Sequence, residues 1–123
     1  MNYSTMLLGA AVSAIVAALA GTLSAPPRRQ PPLLATMALS ALLGPLAWNC
    51  ILRTTGATAA FSHDLPFKPF PISWQDTGSG IFTVAVAFTA LSLGAAAHER
   101  ARHVAARAAT AALAALLVDI YLY

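Results

Sequence analysis

Apolar residues run along this chain in four long blocks, and the polar residues are gathered into the links between them. Each block is about 20 residues, the helix length that crosses the hydrocarbon core of a bilayer. The pattern predicts spans over about 6–24, 33–52, 78–97 and 104–123. Two of the links are short, and one, over 53–77, is long for a connection in so small a protein. The predicted fold is therefore an all-α integral membrane protein, a bundle of four transmembrane helices forming a single membrane domain.

Each block has its own punctuation. The first carries no charge. Leu23-Ser24-Ala25 resembles a signal-peptide cleavage pattern, but no Lys or Arg precedes the run, and Pro26 and Pro27 follow it. The segment is therefore expected to stay as a span. Its Gly9, Ser13, Ala17 and Gly21 recur every four residues and share one helix face. They are candidates for close helix packing, within the chain or against another subunit. In the second block, Pro31 and Pro32 suit a helix start, and Gly44-Pro45 predicts a kink. Asp76, Thr77 and Ser79 are candidate N-caps of the third block, with Trp74 to Gly80 as the turn that leads into it. In the fourth, nearly all Ala and Leu, Arg107 is placed to snorkel to the membrane surface.

Charge orients the blocks. Of the 7 Lys and Arg residues, Arg28, Arg29, Arg100, Arg102 and Arg107 lie in or beside the two short links. Asp64, Asp76 and Asp119 lie at the opposite ends of the spans. The positive-inside rule then predicts both termini outside and the long loop extracytoplasmic. Nearly all aromatics gather at that same outer boundary.

Composition agrees. The chain has 123 residues, 59% hydrophobic and 9% charged, whereas a soluble domain carries about 25% charged residues. The lipid bilayer is the expected solvent partner, in the cell membrane as a multi-pass protein. The net charge of +3 is explained by arginines at span ends. No basic stripe with stacking aromatics points to nucleic acid. The single Cys50 permits no intramolecular disulfide.

Candidate chemistry is confined to the outer boundary. His63 with Asp64 or Asp76 is a candidate acid–base set. A metal is not expected, because metal sites seldom rest on one histidine, and no motif implies a cofactor. Arg53 and Lys68 are candidates for holding a phosphate. Trp74, Asn49 and Asp119 complete the candidate binding residues. For Asp119, four residues from the C-terminus, a salt bridge to Arg53 or simple exposure is expected. Leu65 to Pro71, with three prolines, is expected to be extended and polyproline-like, with Phe67 and Phe70 against the headgroups or the helix ends. The charged link His98 to His103 reads as an inner anchor for anionic lipid.

Smooth helices and one shaped loop suggest a protein that works by association with other membrane subunits or with itself. An oligomeric channel or transporter for a small solute is the first alternative. An outer-leaflet enzyme acting on a lipid-linked substrate through His63 and Asp64 is the second.

Overall fold

The computed structural model describes residues 3–66 and 71–122, apart from the Arg29 side chain. It is all-helical. Helix α1 spans Tyr3–Thr22, and a single 3-10 turn at Pro27–Arg29 leads into α2, Gln30–Thr54. A short α3, Thr58–Phe61, lies in the long loop. Helices α4, Trp74–Leu93, and α5, Ala101–Leu122, complete the chain. The four long helices have 20, 25, 20 and 22 residues and are apolar and long enough to cross a membrane. At about 1.5 Å per residue each reaches about 30 Å or more, the thickness of the hydrocarbon core.

The helices pack in the cyclic order α1, α2, α4, α5, with α2 and α5 also meeting across the diagonal. Both ends of the chain and the long loop share one end of the bundle, here the terminal face. Arg28, Arg100 and Arg102 are exposed at the other end, the arginine face.

Size sorting makes the bundle. Large apolar side chains such as Leu7, Ile15, Leu19, Leu43, Ile81 and Leu113 point outwards and are exposed. Small ones point inwards: Ala17, Ala41, Ala87, Ala108 and Ala111 are buried around Leu33, Met37 and Leu91. This is the reverse of a soluble bundle, and it suits helices that gain little from hiding apolar surface in lipid and associate by close contact instead. The stripe of Gly9, Ser13, Ala17 and Gly21 is buried. A Cβ on Gly21 would lie 2.7 Å from Leu34 Cδ2 and 3.0 Å from Met37 Sδ. That face of α1 therefore lies against α2.

Helix boundaries differ from the hydropathy reading. The third long helix begins at Trp74, not near 78, because Ser73 is its N-cap. Ser73 Oγ accepts from the Asp76 amide at 3.1 Å, and Asp76 Oδ2 accepts from the Ser73 amide at 2.8 Å. This reciprocal capping box satisfies two end donors and puts a carboxylate at the positive end of the helix. Asp76 is thus the third helical residue, not the cap, and Thr77 and Ser79 lie inside the helix. The same helix ends at Leu93, before Gly94. Helix α2 runs on through Pro45 to Thr54.

Arg107 also departs from expectation. It does not snorkel; it is 6% exposed and donates through Nη1 to Glu99 Oε2. His103 Nδ1 lies 4.0 Å from the same carboxylate. The link before α5 thus folds back, and Glu99 pairs with Arg107 at the arginine face.

Candidate functional site

The terminal face is built by turning the chain sharply after α2 and pinning the loop that follows. Gly56 has φ +68°, a left-handed conformation that glycine adopts without strain. The Ala57 amide reaches back to the Leu52 carbonyl at 2.9 Å and closes the helix. Helix α3 then brings Phe61 edge-on to Trp48, with ring centroids 5.3 Å apart at 86°. Further on, Asp64 and Ser73 pair as an antiparallel bridge. The Leu65 amide donates to the Ile72 carbonyl at 2.8 Å, and the Trp74 amide to the His63 carbonyl at 3.3 Å. The two ends of the proline-rich segment are therefore tied together. Lys68, Phe67 and Phe70, and most of the expected polyproline run, lie outside the described residues.

Below the loop, α2 and α4 cross closely. Gly44 sits against the backbone of Thr83, and Gly78 sits under the indole of Trp48. Trp48 Nε1 donates to the Gln75 carbonyl at 2.9 Å. Gln75 Nε2 donates to Asn49 Oδ1 at 2.7 Å, and Asn49 Nδ2 donates to the Pro45 carbonyl at 2.9 Å. Asn49 is thus buried, its amide nitrogen bonded back within α2 to Pro45 and its oxygen accepting from Gln75 at the start of α4. Phe82 also packs against Trp48, with ring centroids 5.3 Å apart and planes tilted by 33°.

Beside this crossing lies a cavity of about 360 Å³ open to the terminal face. Asp64 comes from the loop, Asp76 from the first turn of α4 and Asp119 from the last turns of α5. Ser73 and Gln75 add polar atoms, and Ile120 closes one side. No Lys, Arg or His lines it among the described residues. Asp119 was expected to be exposed or paired with Arg53, but it is 4% exposed. It shares a face with the buried Ala108, Ala112 and Ala115, a spacing of three and four that turns it inwards despite its nearness to the chain end. Arg53 instead lies over the ring of Tyr3, 4.2 Å from its centroid, which ties the end of α2 to the start of α1.

His63 does not join this group. It is exposed and outside the cavity lining. Asp64 is at the rim, and Trp74 is half exposed beside it. No set of three His, Cys, Asp or Glu side chains among the described residues is arranged to hold a metal ion. The sequence reading passed over Ser73, took Gly44 only as part of a kink, and took Gln75 and Gly78 only as part of a turn. The Ser73-x-x-Asp76 spacing signals the first; nothing local signals the contacts of the others. Comparison with protein-family models, curated proteins and solved structures found no match.

Proposed function

We propose that the chain is a multi-pass protein of the cell membrane that works by association, as an accessory subunit of a larger complex or as a homo-oligomer, through its terminal face. The observation that carries this reading is the way the interior is filled. Towards the arginine face, at the far end from the terminal cavity, the bundle is closed by Leu33, Met37 and Leu91, all fully buried, within a core of alanines. Asn49 and Gly44, the residues that would have lined a path, are used in the α2–α4 contact. A single copy offers a closed bundle with one elaborated face. Native mass spectrometry after extraction in a mild detergent tests this. Copies of the chain, or a stoichiometric partner, are expected to travel together; a lone monomer that carries nothing with it would sink the reading.

In the same proposal the terminal face is extracytoplasmic. Arg28, Arg100 and Arg102 at the opposite end support that orientation. Alkaline phosphatase fused to the C-terminus is expected to be active, and a fluorescent protein fused there dark. The opposite pair of results would turn the molecule over.

A further inference from the structure

We propose that the cavity at the terminal face binds a small organic cation, an alkylammonium or guanidinium group, with Asp119 as the anionic anchor at its base and Asp64 at its rim. The inference stands whether or not the chain self-associates.

Two observations carry it independently of the clustering of carboxylates. The first is the state of Asp119. A carboxylate withdrawn from water is costly unless it is paired or hydrogen-bonded. Asp119 is 4% exposed and forms no ion pair among the described residues. The Ser79 hydroxyl faces it, fully buried, but closes no hydrogen bond of regular geometry. Asp76, the other charge that Asp119 faces, has the same sign. The described residues thus place an acceptor at the bottom of a cavity and supply no cation for it.

The second is the size and chemistry of the space. About 360 Å³ falls within the range of small-molecule sites. Ile120 and Pro71 line it alongside Ser62, Ser73 and Gln75, so a ligand with an apolar stem and a charged head is matched at both ends. A compact metal ion is a poorer match, because the carboxylates do not converge as a metal-binding set. A spread organic cation needs no such convergence, and bidentate hydrogen bonding to one carboxylate suffices to orient it.

The test is calorimetric titration of the full chain in detergent with agmatine and choline, and in separate runs with Mg²⁺ and Ca²⁺. At least one organic cation is expected to bind with a Kd of about 1 mM or tighter. Asp119→Asn keeps the shape and removes the charge, so it is expected to weaken binding about tenfold or more while thermal unfolding without ligand stays cooperative. Asp64→Asn, at the exposed rim, is expected to weaken it by about two- to threefold, as screened charges do. Asp76 is left intact in these variants because it caps α4. Binding of the divalent metals alone, no heat with either organic cation, or unchanged affinity in a folded Asp119→Asn protein would each overturn the assignment.

Discussion

Gly44→Ala is expected to destabilise the bundle by about 1–3 kcal/mol, and Gly44→Leu to prevent α2 and α4 from docking at all. The reason is the crossing at Thr83. A Cβ on Gly44 would lie 2.6 Å from Thr83 Cα and 2.7 Å from its backbone nitrogen, and would meet its Oγ1 as well. A long side chain can swing away from a newcomer, but a backbone atom inside a helix cannot. The two helices would have to move apart, and the contacts on either side of the crossing would loosen with them. Intrinsic propensity predicts the opposite sign, because alanine is better than glycine in a helix interior by about 1 kcal/mol. Gly80→Ala is the control. There the nearest atom to the new Cβ is Leu116 Cβ at 3.7 Å, an ordinary contact, so the change is expected to be neutral or stabilising by up to about 1 kcal/mol. Unfolding in mixed micelles of increasing sodium dodecyl sulfate, followed by tryptophan fluorescence, measures both. Equal responses of the two variants would show that the crossing does not depend on a bare backbone at Gly44.

The contrast between these glycines explains what the sequence could and could not disclose. Four apolar blocks separated by charged links are a one-dimensional signal, and they gave four long helices. Their ends were less legible, because a hydropathy boundary marks where side chains become apolar, while a helix begins where its amides find a cap. Ser73 moves the start of α4 to Trp74 for that reason. Asp119 was legible in principle, since counting back three and four residues reaches Ala115 and Ala112. Its distance from the chain end was the weaker guide. His63 and Asp64 invited pairing because they are adjacent. In extended backbone, adjacent side chains leave on opposite sides, and the bridge between Asp64 and Ser73 puts Asp64 in that setting. Only Asp64 lines the cavity. Gly44, Gly78 and Gln75 were beyond local reading, because each acts on a partner far away in the chain. Gly44-Pro45 reads as a kink when taken alone; that it also admits Thr83 is a property of two helices.

Trp48→Ala is expected to have the other large effect, a loss of about 3–5 kcal/mol. Trp48 is where the pieces of the terminal face meet. Its ring covers Gly78, takes the edge contact from Phe61, packs against Phe82 and donates to the Gln75 carbonyl. Removing it opens a void that helix backbones cannot readily fill, and the two ring contacts, worth about 0.5–1.5 kcal/mol each in other proteins, are lost with it. Trp48→Phe separates the contributions. It keeps a ring over Gly78 but not the indole N–H. Hydrogen bonds inside membrane bundles contribute about 0.6 kcal/mol on average, and the smaller ring leaves some unfilled volume, so a loss of about 1–2 kcal/mol is expected. The same denaturant titration ranks the variants, followed by far-ultraviolet circular dichroism because only Trp74 remains as a tryptophan reporter. Limited proteolysis across 55–73 supplies a second reading. If Trp48 holds the loop to the helices, Trp48→Ala speeds cleavage there and leaves the link at the arginine face as resistant as before. A Trp48→Phe protein as damaged as Trp48→Ala would shift the weight to the hydrogen bond with Gln75. Intact resistance across 55–73 in Trp48→Ala would mean that the backbone bonds between His63, Leu65, Ile72 and Trp74 hold the cap without it.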